Sequence, residues 1–184
     1  MSLRVISGSA KGRILKSVPG DITRPITDRV KESLFNIISA DVIDSNWWDM
    51  FGGTGAVGIE ALSRGAAFCR FTDLNREPID TIQLNLTATR LASRAEAKRA
   101  DAFAMLASHP DRRFHYIYIA PPQYKDMWTR ALLELDSNPE WLEKDSWVIA
   151  QIHPKEYKSL ALNVLAEIDR RKYGSTLLVF YERQ

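Results

Sequence analysis

Trp47-Trp48-Asp49-Met50-Phe51-Gly52-Gly53-Thr54-Gly55-Ala56-Val57-Gly58 is the stretch whose reading decides the fold. An apolar run ends on Asp49, a glycine loop follows at once, and a helix-like pattern runs from Ala56 to Arg64. Strand, tight loop and helix in that order open a βα unit. Glycines let backbone N–H groups approach a bound group without a Cβ in the way, and a helix N-terminus adds the positive end of its dipole. The stretch suits a nucleotide-like cofactor. Gly53, Gly55 and Gly58 fit G-x-G-x-x-G, the dinucleotide spacing. The next apolar run, Phe68 to Thr72, ends on Asp73, 20 residues after Gly53, where a carboxylate meets ribose hydroxyls. NAD and S-adenosylmethionine (SAM) would both use that carboxylate. Asp49 favours SAM, because an acid just before the loop repels a pyrophosphate and attracts an ammonium and a sulfonium. Glycines that serve only close packing are the plain structural alternative.

Strand–helix alternation continues on the C-terminal side. Pro78 marks a helix start as its N1 residue, and Ile79, Ile82 and Leu86 carry that helix to Leu91. Ala95 to Ala100 is a short strand leading into Asp101-Ala102. Asp101 could meet an adenine edge or cap a helix over 103–107. Tyr116 to Ala120 is a near-continuous apolar run, as in a central parallel strand. Met127 to Leu135 reads as helix and Trp147 to Ile152 as a fifth strand. Val164 to Arg171 and Thr176 to Arg183 read as a hairpin around Gly174. The expected fold class is α/β: a mostly parallel, Rossmann-like sheet with an antiparallel C-terminal hairpin.

On the N-terminal side, Arg4 to Ser7 and Arg13 to Lys16 read as two short strands, with Gly8 and Gly12 giving the turn its freedom. Pro19, Gly20 and Asp21 make a second turn. Pro25 and Thr27 mark a helix start with Thr27 as N-cap, and Val30, Leu34, Ile37 and Ile38 form its apolar stripe. Arg29 and Glu32 can share a face as an exposed ion pair. Residues 41–46 link this segment to the core. Trp47 and Trp48 read as core and shoulder.

The 184 residues fit one domain with a small appendage, divided here into a basic hairpin and helix, 1–40, and a main domain, 41–184. One cysteine, Cys69, excludes a disulfide framework and fits a reducing cytosol. No apolar run approaches a membrane span and no signal peptide is evident, so a cytoplasmic protein is expected. The three histidines show no metal spacing; His115 and His153 read as strand flanks. Net charge is +2, but residues 1–36 carry seven basic and three acidic side chains, so all the excess positive charge sits there. A localised basic segment suits a phosphate backbone, or is a solvated face without a partner.

A second centre is Ala120-Pro121-Pro122-Gln123-Tyr124, at the end of the central strand. Each proline disfavours the α conformation in the residue before it, so the carbonyls are aimed and rigid. Such acceptors could hold an exocyclic amine beside a cofactor methyl, and Tyr124 could stack on a base for roughly 1–3 kcal/mol. A rigid loop with a packed tyrosine is the alternative.

D-x-F-x-G-x-G, the acid after the second strand and x-P-P-x after the fourth resemble class I SAM-dependent methyltransferases that act on amino groups. V-I-S-G-S-A-K-G-R-I-L, R-P-I-T-D-R-V-K-E-S-L-F-N, E-A-L-S-R-G-A and R-K-Y-G-S-T resemble the RsmD family of 16S rRNA guanine-N2 methyltransferases, almost end to end. The resemblance implies SAM as cofactor, with Asp49, Phe51, Gly53 and Gly55 along its methionine half. It implies Asp73 and Leu74 at the ribose, Asp101 and Ala102 at the adenine, and Thr27, Arg29 and Glu32 bordering the pocket. Arg4, Lys11, Arg13, Lys16 and Arg24 would grip rRNA or the assembling small ribosomal subunit, and no metal or membrane is implied. A monomer is expected. Ala120, Pro121, Pro122, Gln123 and Tyr124 would face the target amine. The family pattern there is D-P-P-[FY] or N-P-P-[FY], so Ala120 stands in place of an acid or amide and Tyr124 is one place late. Losing one charged hydrogen bond of about 1.5–3 kcal/mol would slow the step about ten- to hundredfold. A SAM- and RNA-binding protein with weak or lost catalysis is therefore the first rival reading. A small NAD-dependent oxidoreductase is the second.

Overall fold

The computed structural model describes residues 3–20 and 26–184. Its centre is one sheet of seven strands: β1 (Asn46–Asp49), β2 (Phe68–Asp73), β3 (Ala95–Arg99), β4 (Phe114–Ile119), β5 (Leu142–Ile152), β6 (Leu165–Tyr173) and β7 (Thr176–Arg183). They lie in the order β3-β2-β1-β4-β5-β7-β6. The first five are parallel, and β7 runs antiparallel to both β5 and β6. Strand order reverses between β1 and β4, which opens a crevice at their carboxyl ends. The mostly parallel Rossmann-like sheet and its antiparallel C-terminal hairpin are as the sequence predicts.

Among the described residues five α-helices accompany the sheet: α1 (Asp28–Ile38), α2 (Ala56–Ser63), α3 (Arg76–Thr89), α4 (Ala102–Leu106) and α5 (Met127–Ser137). Alternation along β1 sends Trp47 to one face and Trp48 to the other, and both are fully buried. Trp47 stacks between Phe35 and Tyr116, with ring centroids at 5.5 and 4.6 Å. Trp48 packs on Trp141 at 5.2 Å and Phe114 at 5.4 Å. Both are core residues, and neither is a shoulder. Gly58 lets α2 lie against β2: a Cβ there would sit 2.3 Å from the Phe71 ring and 2.5 Å from Cys69 Sγ.

Thr27 caps α1, its Oγ1 accepting from Val30 N at 3.4 Å. Val30, Leu34 and Ile38 are buried as the stripe requires, joined by Phe35 and, unexpectedly, Lys31. Pro25 and Arg24 lie outside the described residues. Arg29 and Glu32 are exposed and form no ion pair with each other. The helix expected to open with Pro78 starts two residues earlier at Arg76, so Pro78 is its third residue, still inside the turn whose N–H groups have no intrahelical acceptor. The fifth strand begins at Leu142, five residues before the apolar run, because its polar start still pairs with Phe114 across a register shift.

The N-terminal segment departs most from expectation. In place of two strands there is one bridge, Arg4 with Ile14. Many of its backbone groups bond to α2. Ile6 N and Ser7 N donate to the Glu60 carboxylate at 2.8 and 3.0 Å, and Ser9 N donates to Ser63 O at 2.8 Å. Ala10 N donates to Ser63 Oγ at 2.9 Å. Glu60 also meets Arg64 at 2.7 Å and Lys31 at 3.5 Å, and the Lys31 and Glu60 side chains are fully buried. Lys31 Nζ donates in turn to Arg4 O at 2.5 Å. Val5, Ala10 and Leu15 join the core cluster of α1 and α2. The arm therefore shares the core of the main domain.

Candidate active site

A cavity of about 810 Å³ opens over the carboxyl ends of the parallel strands, within the roughly 300–1,000 Å³ of ligand pockets. Three groups of residues line it in sheet order. Over β2 and β3 lie Asp73, Leu74, Asp101, Ala102 and Phe103. Over β1 lie Asp49, Phe51, Gly52 and Gly53. Over β4 and β5 lie Tyr118, Ala120, Pro121, Pro122, Gln123 and Gln151. Val18, Pro19, Gly20 and Ile26 close one side, so the N-terminal arm ends at the cavity.

The glycine loop has the geometry its sequence implies. Gly53 and Gly55 have φ of +52° and +75°, conformations that L side chains rarely adopt, and Gly55 is the N-cap of α2. Gly53 N donates to Asp73 Oδ2 at 3.2 Å, which joins the loop to the tip of β2. Asp73 Oδ1 accepts from Asn75 N at 3.0 Å. Asn85 of α3 ties the loop to the arm. It donates to Thr54 O at 3.0 Å and Lys16 O at 3.1 Å, and accepts from Lys16 N at 2.7 Å.

Asp49 is buried, and its Oδ2 accepts from Gly58 N at 3.3 Å. Burial pushes its carboxyl well above the usual range, and the charge of Asp73 adds to the rise against the Gly58 N–H. Among the described residues no cationic side chain pairs with it. A buried carboxylate without a counter-charge favours a cationic ligand. The sulfonium and ammonium of SAM meet that requirement, and a dinucleotide pyrophosphate does not.

Asp101 caps α4, its carboxylate accepting from Phe103 N at 2.9 Å, and it also lines the cavity. The Phe51 and Phe103 rings stand edge to face at 6.0 Å beside it. Gly55 shapes the turn behind the wall. Thr27, Arg29 and Glu32 do not line the cavity; α1 contributes nothing to the wall, and Ile26 just before it does. Tyr124 is also off the wall. A φ of 60° turns it outward, its N donates to Glu156 Oε1 at 2.8 Å, and its exposed ring lies 5.8 Å from that of His153.

Two wall residues escape a motif reading, Tyr118 and Gln151. Ile119 pairs with Ala150, which brings Ala120 level with Gln151 on the neighbouring strand. The Tyr118 hydroxyl donates to Gln151 Oε1. The signal was a single polar residue, Gln151, inside the apolar run Trp147 to Ile152. His115 and His153 are local: His115 Nδ1 accepts from Asn46 N at 3.0 Å, and His153 caps a turn of 3-10 helix. Among the described residues no group of His, Cys, Asp or Glu gathers to hold a metal, and no helix is long and apolar enough to cross a membrane.

Residues 3–182 match the family described as conserved hypothetical protein 95. The chain is 39% identical to YlbH of Bacillus subtilis (strain 168) over 185 residues, 99% of this chain and 100% of that one. It is 34% identical to ribosomal RNA small subunit methyltransferase D of Escherichia coli (strain K12) over 79% of this chain and 69% of that one. The solved structure of yhhF from Escherichia coli superposes with a TM-score of 0.88 at 26% identity, covering 100% and 99% of the two chains.

Proposed function

We propose, since the chain belongs to the family of conserved hypothetical protein 95 and is an RsmD-like methyltransferase, that it methylates the exocyclic N2 of a guanine in small-subunit rRNA with SAM as donor. The observation that carries the reading is Asp49, a buried carboxylate without a cationic partner among the described residues, at the root of a glycine loop and lining one cavity with Pro121 and Pro122. SAM supplies an electrophilic methyl group on a sulfonium. Asp49, Phe51, Gly53 and the loop around Gly55 hold its methionine half. Asp73 and Leu74 hold the ribose, and Asp101, Ala102 and Phe103 the adenine. That occupies the cavity over β3, β2 and β1. The part over β4 and β5 is left for the acceptor base, which enters flipped or already unpaired.

The protein's contribution is positioning, since the methyl donor is already activated. Pro121 and Pro122 aim their carbonyls, and Gln123 borders the opening. Lys11, Arg13 and Lys16 are exposed on the arm and meet phosphates, as does Arg4, which also bonds Asp28 at 2.9 Å. Residues 1–40 act as the RNA-gripping appendage although they share the core. Methyl-tritiated SAM, offered with unmodified small-subunit rRNA bare and in assembled particles, should leave label in N2-methylguanosine. Label in another nucleoside would overturn the target, and no label on either substrate would overturn the reaction.

A further inference from the structure

An exocyclic amine needs acceptors for its N–H bonds before its lone pair can be turned on a methyl group. The position where a side-chain acceptor would extend from β4 is Ala120, which has none. The acceptor lies one strand away. The β4–β5 register sets Gln151 beside Ala120, and alternation places Tyr118, Ala120 and Gln151 on the same face of the sheet. All three line the cavity. The Tyr118 hydroxyl spends its one proton on Gln151 Oε1, which leaves the phenol oxygen and the second lone pair of Oε1 as acceptors. In the structure the glutamine amide turns its oxygen, not its NH2, to the hydroxyl.

We propose that Tyr118 and Gln151 form a composite acceptor that receives an N–H of the target amine in place of the absent side chain at position 120. This rests on the reading of the chain as an amine methyltransferase. As N2 bonds to the methyl carbon, the carbon–sulfur electron pair returns to sulfur and N2 sheds one proton. That proton goes to water, because an amide is not a base and burial near Asp49 holds the Tyr118 phenol neutral. The pair orients the amine and does not deprotonate it. Tyr118 on β4 is the register partner of Asp49 on β1, so the acceptor lies beside the carboxylate assigned to the methionine half of SAM.

The test compares wild type, Tyr118→Phe, Gln151→Leu and each of these combined with Ala120→Asp. Each single variant should lower kcat about ten- to hundredfold through one unmet N–H. SAM affinity by calorimetry should stay within about twofold, and affinity for unmodified RNA in the presence of S-adenosylhomocysteine should fall. Ala120→Asp should restore both RNA affinity and kcat in the Gln151→Leu background, because its carboxylate supplies the missing acceptor from the adjoining strand. A merely structural role would give no such rescue. Full activity in both single variants, or losses that Ala120→Asp leaves unchanged, would overturn the proposal. Absence of transfer by wild type itself would overturn the methyltransferase reading, a separate outcome.

Discussion

Asp49→Asn should stabilise the ligand-free protein while weakening SAM binding. The asparagine keeps an oxygen for the Gly58 N–H and removes the charge. In wild type the folded carboxyl holds its proton more tightly than the unfolded chain does, because burial raises it well above the ordinary range near 4. A group with a raised folded value favours the fold at low pH. That advantage is lost as pH climbs from the unfolded value to the folded one. The variant does not titrate, so it gains on wild type over that window. A buried charge with one hydrogen bond costs about 1–3 kcal/mol. At about 2–4 °C per kcal/mol for a domain of this size, Asp49→Asn should melt about 2–12 °C higher at pH 8, with a smaller gap at pH 5. SAM would lose a charged partner, about 1.5–3 kcal/mol, and its Kd should rise about ten- to hundredfold. Scanning calorimetry at the two pH values and titration calorimetry with SAM measure both. A variant less stable than wild type at pH 8, or one that binds SAM equally well, would refute the argument.

Three further outcomes are expected. Gly8→Ala should detach the arm from α2, because its Cβ would lie 1.9 Å from Ser63 O at a φ of +84°; rRNA affinity should drop while the SAM Kd holds, as filter binding and calorimetry would show. Glu60→Gln should cost about 3–5 kcal/mol in urea unfolding, since it removes the buried ion-pair partner of Lys31. Thr27→Ala should cost about 1 kcal/mol through the lost cap and leave SAM affinity unchanged; a weakened SAM Kd would return Thr27 to the pocket.

The parts of the fold legible in the sequence are those where local chemistry and tertiary structure ask for the same residue. Gly53 and Gly55 are required by a tight turn, and that turn is also the loop beside Asp49. Thr27 caps because a helix start needs an acceptor, whatever surrounds it. Thr176 to Arg183 matches β7 to the residue because its continuous apolar run, Leu177 to Tyr181, and the turn before it agree. The arm was misread because a hairpin pattern says nothing of a better partner elsewhere. Val5 and Leu15 still bond across to Arg13 and Leu3, but from Ile6 to Ala10 the partners are Glu60 and Ser63, more than fifty residues away. Gln151 stands out as the one polar residue in its apolar run, but its pairing with Tyr118 is not legible for the same reason: strand register is set by packing across the sheet, and no spacing within one strand encodes it. Tyr124 looked like a stacking residue from its place after two prolines. Its outward turn depends on Glu156, 32 residues on.

Cys69 gives the molecule a built-in clock. It is the only cysteine, it has no exposed surface, and burial holds its thiol well above the usual range. It lies under Gly58, where α2 meets β2. A thiol-reactive dye added to the native protein can therefore react only after that helix has come away. The labelling rate then measures how often the cofactor helix opens, without any introduced probe. Ligands that grip the glycine loop should slow the dye in proportion to their occupancy.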